Sequence, residues 1–135
     1  MGEEIFVDAN IFLEIFLKDS KSEECKNFLK SAQNQDKSLF TSDYLIYSCL
    51  ITIENDLKDA SELNNALLFF NSTSNLKILR PSFDEFSHAI EIMEKLSLDF
   101  DDSLVIACMK NYGIEKLASL DKHFDKVKDI KRIVF

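Results

Sequence analysis

Short apolar, β-prone runs recur along this chain, and stretches with apolar residues at helical spacing fall between most of them. Ile5-Phe6-Val7, Lys37–Thr41, Leu76–Leu79, Lys116–Ser119 and Lys131–Phe135 read as strands, the last of them at an edge. Strands alternating with helices are the signature of a parallel sheet covered on both faces. The expected fold is therefore α/β. It is a single domain over residues 1–135, with a central, mostly parallel sheet of four to five strands flanked by helices on both faces.

The helices are legible from their apolar stripes. Asn10–Leu17 places Ile11, Phe12, Ile15 and Phe16 at 3–4 spacing, and Ser22–Ala32 does the same with Cys25, Phe28, Leu29 and Ala32. Thr41 or Ser42 can cap a helix running to about Leu57, with Leu45, Cys49, Ile53 and Leu57 as its inward face. Another helix covers about Ala60 to Phe70. Ser82-Phe83-Asp84-Glu85 reads as a capping box opening a helix whose core face is Phe86, Ala89, Ile90 and Met93. Asp101–Tyr112 buries Leu104, Val105, Ala107 and Cys108 and closes at Gly113.

Composition removes several function classes. No apolar run approaches the roughly 18 residues of a membrane span, and the opening MGEEIFVDAN is acidic where a secretory signal is positive, so a cytoplasmic protein is expected. Cys25, Cys49 and Cys108 are odd in number, far apart and without CxxC spacing, and are expected as buried free thiols. His88 and His123 are too few and too separated for a zinc site, and are expected on the surface or at helix caps. The net charge is −8, whereas a protein that grips phosphates carries a basic surface. Action on nucleic acid therefore requires a local basic stripe, or divalent cations that bridge acids to phosphates. Glu3, Glu4, Glu23, Glu24, Asp84 and Glu85 account for much of the excess as solvated residues on exposed faces or first helical turns.

In an open parallel sheet, ligands gather outside the carboxyl ends of the strands. Asp8 follows the first strand directly, Asp121 lies just past the fourth, and Asp101 and Asp102 open the helix that leads into the fourth. Asn10 and Ser119, each two residues from an acid, can orient a carboxylate. Each acid alone can be a helix cap or a dipole-favoured first-turn residue; the set carries the information. Clustered carboxylates raise one another's pKa unless a cation intervenes, and hard oxygen ligands suit Mg²⁺ or Mn²⁺. Such an ion polarises phosphoryl oxygens and acidifies bound water, both of which phosphodiester hydrolysis needs. There is no nucleophilic Ser, Cys or His constellation, and two glycines cannot make a phosphate loop.

These residues resemble the motifs of PIN domains. Val7-Asp8-Ala9-Asn10-Ile11-Phe12-Leu13 resembles the family's opening strand and turn. Phe100-Asp101-Asp102-Ser103-Leu104-Val105-Ile106-Ala107 resembles its later acidic motif, and Ala118-Ser119-Leu120-Asp121-Lys122-His123-Phe124 its closing one. Their order and spacing carry the resemblance over essentially the whole chain. It implies a Mg²⁺- or Mn²⁺-dependent ribonuclease acting on RNA. Such a protein is often the toxin of a VapBC-type toxin–antitoxin pair, with a small antitoxin as partner, and often a homodimer. Asp8, Asp102 and Asp121 would bind metal, supported by Asn10 and Ser119. One departure stands out. Many PIN domains carry a Glu about six residues beyond a Ser-Asp pair, and here Ser42-Asp43 is followed at that place by Ser48. Glu54 is too far around the helix to replace it, which leaves Asp101 to supply the charge or a weaker metal site. A catalytically degenerate scaffold that binds a protein or RNA is the alternative. Receiver-like and aspartyl-phosphatase patterns fit poorly: a phosphatase wants a second Asp where Asn10 stands, and a receiver wants an acidic pair after strand one and a Lys late in the chain.

Overall fold

The computed structural model describes residues 3–133 and 135. In chain order its elements are β1 (Glu4–Val7), α1 (Ala9–Phe16), α2 (Ser22–Asn34), β2 (Ser38–Ser42), α3 (Asp43–Leu57) and α4 (Ala60–Ser72). There follow β3 (Leu76–Leu79), α5 (Phe83–Leu96), α6 (Phe100–Asn111), β4 (Lys116–Ala118), a 3-10 turn (Lys122–Lys126) and β5 (Lys131–Ile133). The expected final strand, Lys131–Phe135, ends at Ile133, and Val134 lies outside the described residues. The five strands form one wholly parallel sheet in the order β3-β2-β1-β4-β5. The chain thus starts in the middle, steps outward twice, and returns to the other side of β1. The order reverses between β1 and β4, which is where a parallel sheet opens a crevice at its carboxyl edge.

Strand alternation divides the interior into two cores. Ile5, Val7, Leu39 and Ala118 face one layer, built on α1–α4 with Phe12, Cys49, Ile53, Ala66 and Phe70. Phe6, Phe40 and Leu117 face the other, built on α5 and α6. In α6 every residue from Ser103 to Met109 is buried, as expected of a helix that is apolar on nearly all sides and enclosed by its neighbours. At the site end of the sheet the Thr41 hydroxyl donates to the Val7 carbonyl at 3.0 Å, satisfying a buried acceptor just beyond the last β1–β2 pair. Gly113 ends α6 in the left-handed region, at φ 67°. The three cysteines are free and buried as expected. Burial pushes the Cys25 thiol up to about 11 and the Cys49 thiol up to about 12, so neither is a ready nucleophile. Among the described residues, no helix is long and apolar enough to cross a membrane.

Two stripes differ from the sequence reading. Leu45, Cys49 and Ile53 are buried on α3, but Leu57 is 40% exposed. Four-residue steps drift by about 40° each around a helix with 3.6 residues per turn, so the fourth member leaves the face. On α5 the buried residues are Glu85, Ala89 and Ile92, while Ile90 is 51% exposed. Glu85 was expected in solvent; instead it is buried, where its carboxylate accepts from the Ser82 backbone N–H at 3.2 Å and the Ser82 hydroxyl at 3.4 Å. The capping role turns Glu85 inward and carries Ala89 and Ile92 with it at i+4 and i+7. Ile92→Ala is expected to destabilise the protein by about 2–5 kcal/mol in urea unfolding, whereas Ile90→Ala stays within about 0.5 kcal/mol of wild type.

Candidate metal centre

Asp8 leaves β1 at the switch point and caps α1, its Oδ1 accepting from the Ala9 backbone N–H at 2.8 Å. Its Oδ2 accepts from the Ser119 hydroxyl at 2.8 Å and from the Asn10 amide at 3.3 Å. The same Asn10 amide donates to Ser119 Oγ at 3.2 Å, and Asn10 Oδ1 accepts from the Leu120 backbone N–H at 3.2 Å. Ser119 Oγ also accepts from the Asp121 N–H at 3.0 Å. Asp8, Asn10 and Ser119 therefore form one closed network that joins the ends of β1 and β4 and leads directly into Asp121.

Asp121 caps the 3-10 turn, accepting from the His123 N–H at 2.9 Å, and the fully buried Phe124 ring anchors that turn. Asp102 approaches from a third direction, in the first turn of α6, where its N–H donates to the capping carboxylate of Asp99 at 3.0 Å. Oxygens of Asp102 and Asp121 and a ring nitrogen of His123 all lie within 4.8 Å of one another. Asp8 stands beside this trio rather than within it. Asp101 is exposed and shares a cleft of about 370 Å³ with Ser48, Tyr44, Tyr47 and Ile51; the Tyr44 hydroxyl donates to the Asp101 carbonyl at 3.3 Å. Ser48 thus sits on the cleft side of Asp101, outside the cluster. Among the aromatics of α3 and α4, Phe70 is buried and Tyr47 is 66% exposed.

Three participants were not legible beforehand. Asp99 is the α6 cap; its position three residues before Asp102 is the signal. His123 joins the acids only through the tight turn that Asp121 caps. Arg132, on β5, pairs with Asp125 at 2.8 and 3.2 Å and donates to the Ser119 carbonyl at 3.1 Å, bracing the end of β4 from the outer strand.

The electrostatics follow from crowding. Burial pushes the Asp102 carboxyl up to about 7, reinforced by the charges of Asp99, Asp121 and Asp8 and opposed by His123. Burial likewise raises Asp8, against hydrogen bonds from Ser119 and Ala9, with Asp121 and Asp101 adding to the rise. Two carboxylates and an imidazole in such proximity, with a third carboxylate adjoining, suit a divalent cation whose charge would relieve the repulsion.

A sheet of this order with acids at its switch point defines an α/β domain built around an acidic edge. The PIN domain family model matches residues 5–130, and the chain belongs to the PIN-domain family. Over 150 aligned residues it is 25% identical to Ribonuclease VapC6 of Methanocaldococcus jannaschii, covering 96% of this chain and 95% of that protein. In three dimensions it resembles Mycobacterium tuberculosis VapC20, a sarcin-ricin-loop-cleaving toxin. The TM-score is 0.80 at 17% identity, over 93% of this chain and 96% of that one. It also resembles a chain of VapBC2 from Rickettsia felis, solved bound to promoter DNA, with a TM-score of 0.76 at 14% identity over 96% and 97% of the two chains.

Without an ion, the raised Asp102 pKa makes the folded state hold a proton that the unfolded chain, with an Asp near 3.8, releases. This contribution to stability is fully present below the unfolded pKa and is lost as pH rises through about 7. The metal-free protein is therefore expected to melt a few degrees lower at about pH 7.5 than at about pH 5.5. Asp102→Asn flattens that dependence and raises the melting temperature at the higher pH, both readable by thermal unfolding in EDTA.

Proposed function

We propose that this protein is a cytoplasmic, Mg²⁺- or Mn²⁺-dependent endoribonuclease that hydrolyses RNA phosphodiester bonds, and that it is the toxin of a VapBC-type pair. One observation carries the reading. Asp8, Asp102 and Asp121, brought from three elements far apart in sequence, converge at the switch point of the sheet, where the charge of Asp121 adds to the raised carboxyl pKa of both Asp8 and Asp102. The description of the archaeal relative as a ribonuclease supports RNA as the substrate.

A bound divalent ion would supply Lewis-acid chemistry, polarising a phosphoryl oxygen and acidifying water. Asp102 and Asp121 would hold it. Asp8, fixed by Ser119 and Asn10, would add its negative charge beside them. Asp101 extends the acidic edge toward Ser48, where many relatives carry a carboxylate. With a net charge of −8, phosphate is drawn to this edge by the cation rather than by a broad basic face. The acidic edge is also a target for an antitoxin tail carrying Arg or Lys, whose charged donors would pair with these carboxylates. Two copies of the chain form a homodimer in this reading.

Cleavage of end-labelled single-stranded RNA is expected to require Mg²⁺ or Mn²⁺ and to stop in EDTA. Asp8→Asn and Asp121→Asn each lower the rate by about 100-fold or more, with unchanged far-ultraviolet circular dichroism. If folded, antitoxin-free protein neither binds these ions at millimolar concentration nor cuts RNA, the scaffold reading replaces this one.

A further inference from the structure

We infer that His123 is itself a metal ligand, and that its imidazole tilts this centre toward Mn²⁺ over Mg²⁺. The inference rests on the divalent-metal reading above and goes beyond it by naming the ligand and the selectivity. A ring nitrogen of His123 lies with oxygens of Asp102 and Asp121 inside one 4.8 Å set, and Asp8 is not a member of that set. The position is built into the fold. The His123 N–H is held by Asp121 Oδ1 at 2.9 Å, and Nδ1 of its ring sits 3.0 Å from that same oxygen. The next residue, Phe124, is fully buried. The backbone is thereby pinned on both sides of His123, and the ring folds back onto the acid although the side chain is 74% exposed.

On the helix after β2, Ser48 stands where many PIN domains carry a Glu, facing the cleft with Asp101. The donor set is thus one carboxylate poorer on that side and one imidazole richer on the other. All-oxygen sets suit Mg²⁺, whereas an imidazole nitrogen favours first-row transition ions. Among these, Mn²⁺ best tolerates the remaining carboxylates and water.

The test compares wild type with His123→Gln, both stripped of metal. Each is titrated calorimetrically with MnCl₂ and MgCl₂, and each Mn²⁺ complex is examined by electron spin-echo envelope modulation, which detects a directly bound nitrogen. The wild type is expected to bind Mn²⁺ about tenfold more tightly than Mg²⁺ and to show nitrogen modulation. His123→Gln should abolish the modulation and weaken Mn²⁺ by about tenfold, with Mg²⁺ changed by less than about twofold. Because the side chain is largely exposed, melting temperatures should match. A Mn²⁺ complex without nitrogen modulation in the wild type, or an unchanged Mn²⁺/Mg²⁺ ratio in His123→Gln, overturns the role of His123 while leaving the carboxylate centre standing. Failure of the wild type to bind either ion overturns both.

Discussion

The Ser119 hydroxyl and the Asp8 carboxylate, 2.8 Å apart and 111 residues apart in sequence, hold together the two strands between which the sheet reverses its order. Three other features depend on that bond. Asn10 bridges the same two side chains. The Asp121 N–H finds its acceptor in Ser119 Oγ, so the 3-10 turn starts at a fixed angle. Arg132 in turn grips the Ser119 carbonyl from β5. Both heteroatoms are buried at a position where water cannot easily substitute, so losing one partner would strand the other.

The fold was largely legible because it is written in periodicity. Runs such as Ile5-Phe6-Val7 and Leu76–Leu79 have no helical reading, and the stripes of α1 and α2 are unambiguous. Where the pattern misled, two stripes were compatible with the same residues. Ile90 and Ile92 both lie within reach of a core face, and only the inward turn of Glu85 decides between them. A carboxylate is rarely placed in the interior by inspection, because its desolvation must be offset by partners that sequence does not display.

The candidate site was legible in its acids and not in its geometry. Asp8, Asp102, Asp121, Asn10 and Ser119 stand at strand ends and helix starts, where topology must gather them. Whether a neighbour joins them depends on a few degrees of turn geometry. That His88 and His123 are too few and too separated for a zinc site is a sound argument against zinc but silent on a mixed carboxylate–imidazole set. Nor does sequence reveal that Asp8 stands beside the trio, since its oxygens are already committed to α1, Asn10 and Ser119.

The pairing of β1 with β4 has a consequence during synthesis. In the order of synthesis Asp8 precedes its hydrogen-bonding partner Ser119, just past β4, and the neighbouring Asp121 by more than a hundred residues. Until then the β1 edge destined for β4 has no strand to pair with, and the acidic edge lacks one of its three walls. A ribosome carrying a partly made copy therefore displays no assembled centre, whatever ions surround it. The acidic cluster is completed in a single late step of chain growth, when β4 docks beside β1.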